Sequence, residues 1–307
     1  MNTRDLEYLV AVAEELHFGK AAERCNASQS GLSGQIRRLE ERLGVSVFER
    51  TKRHVILTDI GAKIIEHAKT ILRSVDDLER FADSNRDPLG GTVTLGMPPT
   101  IGPYLTPLLL KATKHFLPGL QIELLEDFTS ELEDQLVNGR LDLAVLATPP
   151  EDYRLDDIHL YEEPFWFAIP NKHPLAKQET VDVNTIDTRE LLLLADGHCL
   201  RDQVREVCSL QQSRNSEHES ARTLRTSLST ILSLVGAGEG ITLVPAMSLS
   251  SSWVTDAGIS VRRESSGSAQ RKVRLTYRRA YHRTDLVEKL ADVIAGIVPD
   301  TVKPARR

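Results

Sequence analysis

The residue pattern of this chain changes at residues 85–91, NRDPLGG, where an aspartate, a proline and two glycines interrupt a long helical stretch. Before this break, apolar residues recur every three or four positions, which is typical of amphipathic helices. After it, β-prone runs such as TVTLGM alternate with helical runs such as YLTPLLLKATKHF, an order typical of a parallel α/β sheet. A chain of 307 residues is long enough for both parts. We therefore predict a small helical module followed by a larger α/β domain.

The helical module contains three short helical patterns and two β-prone runs. The third pattern, NASQSGLSGQIRRLEERLG, begins at Ser28, whose side chain is suited to an N-cap, and ends at Gly44, a common C-terminal stop. The runs VSVFER and HVILT follow, with Lys52 and Arg53 between them. This order predicts three helices and a basic β-hairpin.

Basic charge is concentrated in part of this module, although the whole chain has a formal net charge of -6. Residues 24–53 hold seven Lys and Arg against three Asp and Glu. The polar face of the third helix and the hairpin carry side chains that can reach phosphates and base edges: Ser28, Gln29, Ser30, Ser33, Gln35, Arg37, Arg38, Arg50, Lys52 and Arg53. For any single helix, a merely solvated face is the better interpretation. The ordered set of helices and basic hairpin favours a site for double-stranded DNA.

A long helical seam joins the two parts, because residues 58–85 contain no proline and only one early glycine. Its apolar residues are spaced alternately by four and three: Ile64, Ala68, Ile71, Val75, Leu78 and Ala82. This spacing is typical of a coiled coil. The seam could instead pack against the larger domain of its own chain. Pairing with a second copy is favoured, and it predicts a dimer that addresses a pseudo-palindromic operator.

The sharpest chemical pattern is ADGHCLRDQVREVC, which contains Cys199 and Cys208. Two small buried residues are one interpretation, and a zinc site is a weaker one because paired CxxC or HxxxH ligands are missing. The residues between the cysteines have helical spacing. A single helix would separate the two Cα atoms by about 13 Å, whereas a disulfide needs about 4.4–6.8 Å. Oxidation would therefore require local refolding, which suits a switch.

The segment AAERCNASQSGLSGQIRRLEERLGVSVFER resembles the DNA-binding segment of LysR-type transcriptional regulators, and the resemblance extends along nearly the whole chain. It implies a winged helix-turn-helix domain at residues 1–58, a linker and dimerisation helix at 59–87, and a sensor domain at 88–307. The sensor domain would resemble a two-lobed periplasmic binding protein, with lobe I at 88–163 and 268–307 and lobe II at 164–267. The resemblance also implies a homo-oligomer, in which dimers formed through the linker helix pair into a tetramer.

The GHCLRDQ segment, with its second cysteine, resembles the redox loop of the peroxide-sensing members of this family. The resemblance implies that Cys199 attacks hydrogen peroxide, becomes a sulfenic acid and condenses with Cys208. It assigns peroxide binding to Thr100, Thr129, Gly197 and His198, with supporting charges from Arg201, Asp202 and Arg271. For the two threonines, the plain alternative is that each caps a helix.

Location and partners follow from composition and from the resemblance. No uninterrupted apolar stretch approaches the ~20 residues of a membrane span, and the acidic, amphipathic N-terminus differs from a secretory signal. We expect a cytoplasmic regulator that is not an enzyme, needs no cofactor or metal, and works with RNA polymerase and a thiol reductant. One alternative stays open: a LysR-type regulator that binds a small organic effector and carries incidental cysteines. A thiol peroxidase could use the same chemistry at Cys199, but it would gain nothing from a recognition helix and a coiled-coil linker.

Overall fold

The computed structural model describes residues 1–50, 54–84, 87–208, 221–249 and 257–305, with the backbone alone for Arg50 and for residues 73, 76, 77 and 79–84. The chain divides into two compact units, Met1–Asn85 and Arg86–Arg307. Within the described ranges, no helix is long and apolar enough to cross a membrane.

The first unit is a three-helix module followed by a short hairpin and a long helix. Its elements are α1 (Thr3–Glu15), α2 (Phe18–Arg24), α3 (Gln29–Leu43), β1 (Phe48–Arg50), β2 (Val55–Leu57) and α4 (Asp59–Ser84). The Ser28 hydroxyl caps α3 by accepting the backbone N–H of Gly31 at 3.1 Å. Gly44 ends the same helix in the left-handed conformation, with φ 71°, where glycine carries no Cβ penalty. Both predicted boundaries of the third helix are therefore confirmed.

The first turns of α4 belong to the core of this module. Ile65 and Ala68 are buried in the same cluster as Leu9, Val12 and Ile36. The predicted coiled-coil seam is therefore wrong at Ala68, which is 2% exposed and packs on its own module. Spacing by three and four cannot distinguish an intramolecular partner helix from a second copy. Further along α4, Ile71 and Leu78 are exposed, so the surface open to another chain begins about one turn beyond Ala68.

The second unit is an α/β domain. Its helices are α5 (Gly102–Phe116), α6 (Thr129–Val137), α7 (Cys199–Val207), α8 (Leu228–Gly236) and α9 (Thr284–Ile297). Its strands are β3 (Gly91–Met97), β4 (Leu120–Glu126), β5 (Leu143–Leu146), β6 (Leu155–Pro170), β7 (Thr180–Val181), β8 (Leu192–Leu194), β9 (Arg222–Leu224), β10 (Thr242–Pro245), β11 (Ile259–Glu264), β12 (Gln270–Arg278) and β13 (Lys303–Pro304).

The main sheet of this unit is mixed rather than parallel. Its strand order is β4-β3-β5-β12-β6-β11-β7, and β10 and β13 also pair with β6. β3 runs parallel to β4 and β5, but β12 is antiparallel to both β5 and β6. The prediction of a parallel sheet is therefore wrong in the centre. The reason is that β12, which comes late in the chain, lies between β5 and β6 and runs opposite to both.

The two larger hydrophobic cores of this unit lie along this sheet. The first core packs α5 and α9 on β3 and β5, around residues such as Leu105 and Leu290. The second core packs α7 and α8 around β8 and β10, with Leu192 and Ile231 among its buried members. The long strand β6 contributes Tyr161 to the first core and Phe165 to the second. The predicted α/β class is therefore confirmed.

Candidate redox site and DNA-binding surface

Helix α7 carries one cysteine at each end. Cys199 is its first residue, and Cys208 is its C-cap, whose backbone N–H donates to the carbonyl of Val204 at 2.9 Å. Both thiols are free; Cys199 packs against the first core and Cys208 against the second. The helix predicted for the residues between the two cysteines is confirmed, and it also includes Cys199. The Cα atoms of the two cysteines are therefore about 13 Å apart, and a disulfide between them requires α7 to unwind.

The environments of the two thiols differ, and this difference affects how readily each sulfur can act as a nucleophile. Burial raises the pKa of the Cys208 thiol to about 11. At neutral pH this group is a protonated thiol, which is a poor nucleophile. Cys199 instead stands at the N-terminus of α7, where unpaired backbone N–H groups carry partial positive charge. Cys199 is therefore the better placed of the two for attack on an oxidant.

We expect alkylation of Cys208 by iodoacetamide in the native reduced protein to be slow and to rise about tenfold per pH unit, because only the thiolate reacts. The rate should still be rising at about pH 9.5, one unit above the ordinary thiol pKa of about 8.5. Peptide-resolved mass spectrometry measures it for each cysteine. In the urea-unfolded chain, the control, the Cys208 profile should level off near the ordinary value. A native profile that levels off there too would contradict the burial effect.

A buried ion pair lies between the long central strands. Glu163 of β6 is 0% exposed and Arg271 of β12 is 3% exposed. The Arg271 Nε and Nη2 atoms each lie 2.8 Å from Glu163 Oε2, while Glu163 Oε1 accepts the backbone N–H of Met247 at 2.8 Å. Arg271 also donates from Nη2 to the carbonyl of Thr100 at 3.0 Å and from Nη1 to its hydroxyl at 3.3 Å. The carboxylate and the threonine together fix the guanidinium.

Cys199 lies within electrostatic range of this guanidinium. Burial acts to lower the pKa of Arg271, but the Glu163 carboxylate and then the Cys199 thiol outweigh it and raise the pKa above its ordinary value. The structure thus places Thr100 and Cys199 beside Arg271, and these are three of the residues that the resemblance assigned to the site. Thr100 is not a helix cap, because Ile101 occupies the N-cap position of α5. Sequence reasoning missed Glu163, and the only local signal for it is an acidic residue inside a β-prone run.

A second group of predicted residues surrounds Phe128, the N-cap of α6. The His198 ring meets the Phe128 ring edge to face, with centroids 4.9 Å apart. Gly197 has φ 95°, and a Cβ there would lie 3.5 Å from the same ring. Thr129 begins α6 and makes no cap hydrogen bond, so the capping alternative is wrong for it too. Its hydroxyl is buried, with no hydrogen-bond partner among the described residues.

An open groove of about 570 Å³ borders this group. Its lining residues come from the ends of α6 and α7 and from the β9 region: Phe128, Ala195, Asp196, His198, Thr223, Arg225 and Thr226. Burial lowers the pKa of His198, which keeps its imidazole neutral at neutral pH, able to donate from one nitrogen and accept at the other. The groove reaches His198, the N-cap of α7.

The two remaining predicted charges, Arg201 and Asp202, lie in the first turn of α7. The Arg201 guanidinium contacts the Asp196 carboxylate and lies 4.0 Å from Asp202. The Asp202 side chain is largely exposed. Both are thus engaged at the rim of α7. Among the residues that the structure describes, no group of three His, Cys, Asp or Glu side chains is arranged to hold a metal ion.

The predicted DNA-binding residues of α3 divide into exposed and restrained side chains. Gln29, Ser30, Arg37 and Arg38 are exposed, whereas Ser33 is half-buried and Ser28 serves as the cap. Gln35 is restrained, since it donates to Asp5 of α1 at 2.8 Å and accepts from Arg38 at 2.9 Å. For Arg50 only the backbone is described, and Lys52 and Arg53 lie outside the described residues.

Comparison with known proteins gives matches along the chain. A model of the LysR substrate binding domain matches residues 86–297, and a model of the bacterial regulatory helix-turn-helix protein of the lysR family matches residues 3–62. A "Hydrogen peroxide-inducible genes activator" of Pectobacterium carotovorum is 40% identical over 96% of both chains. The "DNA-binding transcriptional dual regulator OxyR" of Escherichia coli is 42% identical over 81% of this chain and 80% of its own length.

The chain is also similar to solved structures of OxyR proteins. A full-length OxyR from Pseudomonas aeruginosa with a cysteine-to-aspartate substitution superposes with a TM-score of 0.76 at 32% identity, covering 100% of this chain and 98% of that one. A cysteine-to-serine mutant of Corynebacterium glutamicum OxyR with hydrogen peroxide bound gives a TM-score of 0.63 at 32% identity, covering 96% and 92% of the two chains.

Proposed function

Because the chain belongs to the LysR family of transcriptional regulators, we propose that it is a hydrogen peroxide-sensing, DNA-binding regulator switched by a reversible Cys199–Cys208 disulfide. Relatives named as peroxide-inducible activators and OxyR structures support this proposal over a regulator of small organic effectors. The observation that carries it is the helix α7, whose two ends are cysteines packed against two different cores.

We assign peroxide binding to Thr100, Thr129, Gly197 and His198. The Thr100 hydroxyl accepts from Arg271, which leaves its own proton to donate to a peroxide oxygen. The Thr129 hydroxyl has both capacities uncommitted among the described residues. Two such groups can orient the O–O bond for in-line attack. Arg201 and Asp202 act at the rim of the site.

The chemistry then runs in two steps. The Cys199 thiolate attacks one peroxide oxygen, the O–O bond breaks, and the departing hydroxide takes a proton to leave as water. Negative charge develops on that leaving oxygen, and the nearby Arg271 cation stabilises it. The resulting Cys199 sulfenic acid condenses with Cys208, which forms the disulfide and releases a second water. The second step needs α7 to unwind, and this refolding is the signal.

For DNA recognition we keep the predicted domain boundaries: a winged helix-turn-helix at 1–58, a linker helix at 59–87 and a sensor at 88–307. In the sensor, lobe I comprises 88–163 and 268–307, and lobe II comprises 164–267. Helix α3 enters the major groove and the hairpin follows the backbone. Dimers form through the exposed part of α4 and pair into tetramers, so that refolding of α7 changes the spacing of the DNA-binding domains.

The remaining partners follow from this cycle. Each oxidation consumes one peroxide and leaves a disulfide that a thiol reductant must reopen, so we place the protein in the reducing cytoplasm. A sensor of this kind turns over once per signal and does not act as a peroxidase. RNA polymerase receives the output at the promoter.

The experiment that tests this function is footprinting of the wild-type protein on an operator in its reduced and peroxide-oxidised states. Both states should bind, with a changed footprint length or bend after oxidation. Disulfide content is measured in the same samples. A footprint that stays unchanged on every tested operator, although the disulfide has formed, would contradict the coupling.

Replacing Arg37 or Arg38 by alanine should weaken operator binding because both side chains are exposed on the polar face of α3. If the lost contact was to a phosphate, the slope of log K against log salt should become shallower by about 0.9. Titrations at several salt concentrations measure both quantities. Lys172→Ala, an exposed cation of the other unit, is the control and should leave them unchanged. Wild-type affinity and slope in both arginine variants would move the recognition surface elsewhere.

A further inference from the structure

A hydrogen bond fastens the middle of α7 to the first core. The Gln203 Nε2 donates to the carbonyl of Ala147 at 2.9 Å. Ala147 follows directly after β5 and packs in the first core. Leu200 and Val204, on the same helix, are buried in the second core. Helix α7 is therefore held by apolar side chains on one side and by an amide hydrogen bond on another.

This hydrogen bond is weak enough to form and break reversibly between α7 and Ala147. Only the donor end of an amide can meet a carbonyl oxygen, so the orientation of Gln203 is fixed by its partner. Its own oxygen, Oε1, is buried and has no hydrogen-bond partner among the described residues. The hydrogen bond to Ala147 therefore offsets the cost of burying the amide nitrogen, but no described residue offsets the cost of burying the amide oxygen. A neutral hydrogen bond of this kind favours one conformation over another by about two- to tenfold.

The position of Gln203 ties this bond to the reduced protein. Cys199 and Cys208 stand at the two ends of α7, about 13 Å apart, and a disulfide needs about 4.4–6.8 Å. A segment whose ends come together must change its backbone between them. Gln203 lies near the middle of that segment, four residues from Cys199 and five from Cys208. The bond to Ala147 is therefore made by the helical, dithiol form and is lost when the helix unwinds.

We propose that Gln203 is a positioning residue of the switch, whose bond to Ala147 holds α7 helical and sets the rate and equilibrium of disulfide formation. The inference rests on the proposed function. It concerns the second step alone: the Cys208 sulfur attacks the Cys199 sulfenic sulfur, the S–O bond breaks, and the hydroxide leaves as water with the Cys208 proton. The attack on peroxide precedes any unwinding and does not depend on Gln203.

The test uses the full-length chain and Gln203→Met, which keeps the length of the side chain and removes the donor. Glu206→Met, at an exposed position of the same helix, controls for helix propensity. Quenched-flow samples are analysed by dimedone trapping for sulfenic acid and by peptide mass for the disulfide. Gln203→Met should form sulfenic acid at the wild-type rate and form the disulfide about two- to tenfold faster.

Equilibration in glutathione buffers gives the second readout. The dithiol–disulfide equilibrium of Gln203→Met should shift about two- to tenfold toward the disulfide, a potential up to about 30 mV more negative. Glu206→Met should match the wild type in both experiments. Gln203→Ala, which also lacks the donor but favours helix, should change in the same direction as Gln203→Met.

The outcomes separate the two proposals. If the wild-type chain forms neither sulfenic acid nor disulfide, the peroxide-sensing function itself fails. If the wild type forms both, and the Gln203 variants keep its second-step rate and its equilibrium, the attachment has no role in the switch. Slower sulfenic acid formation in the variants would place Gln203 in the first step and would also overturn the inference.

Discussion

Cys199→Ser should abolish the response to hydrogen peroxide, because a serine hydroxyl is not ionised at neutral pH and cannot take the place of the attacking sulfur. Neither sulfenic acid nor disulfide should form, and the operator footprint should stay in its reduced form. Cys208→Ser should still react at Cys199, but it should accumulate the sulfenic acid. Dimedone labelling and footprinting of the two variants measure these differences.

The same pair of variants distinguishes the peroxide sensor from a regulator of an organic effector. An effector-binding protein would keep its DNA response when both cysteines are serine, since neither thiol would contact its ligand. Cys25→Ser is the matched control: this third free cysteine is partly buried and packs against the core of the first unit. Peroxide should switch Cys25→Ser as it switches the wild type. Loss of the response in Cys25→Ser, or its survival in Cys199→Ser, would contradict the assignment.

Arg271→Met should destabilise the sensor domain by about 3–5 kcal/mol, because it leaves the Glu163 carboxylate buried without its counter-ion. Urea unfolding monitored for the second unit measures the loss. The double variant Glu163→Gln with Arg271→Met should recover much of it, since the buried charge is then gone. Arg271→Met should also react more slowly with peroxide, because Thr100 and Cys199 lose the guanidinium beside them.

A matched control lies on the same two strands. Arg274 of β12 pairs with Asp157 of β6 at 2.5 Å, but both side chains keep part of their exposure. Arg274→Met should therefore cost less than Arg271→Met and should leave the peroxide rate at the wild-type value. If the two substitutions lowered the free energy of unfolding equally, the burial of the Glu163–Arg271 pair would not explain the loss in Arg271→Met. An unchanged peroxide rate in Arg271→Met would remove Arg271 from the redox site.

Features that depend on neighbours in the chain could be predicted from the sequence. The cap at Ser28, the stop at Gly44 and the helix between Cys199 and Cys208 all follow from local residue types. The separation of the two thiols then follows from helix geometry alone. The assignment of Thr100 and Arg271 came from a family resemblance, and their contact spans two distant parts of the sequence.

Features that depend on distant contacts could not be predicted. The Ala147 carbonyl that Gln203 binds lies 56 positions away in the sequence, and no local pattern marks it. Glu163 looks like a solvated acid until β12 places Arg271 beside it. Phe128 looks like an ordinary apolar residue before a helix, although it contacts His198. Ala68 fits a coiled-coil seam equally well whether its partner is another chain or its own module.

The most direct test of the disulfide switch is peptide mass mapping of the full-length protein after brief exposure to a small excess of hydrogen peroxide. Cys25, as an internal reference thiol, should remain reduced. The account predicts a peptide pair linked through Cys199 and Cys208, reversed by a thiol reductant. If both thiols remain reduced while the protein is folded and binds DNA, the account of the switch is wrong.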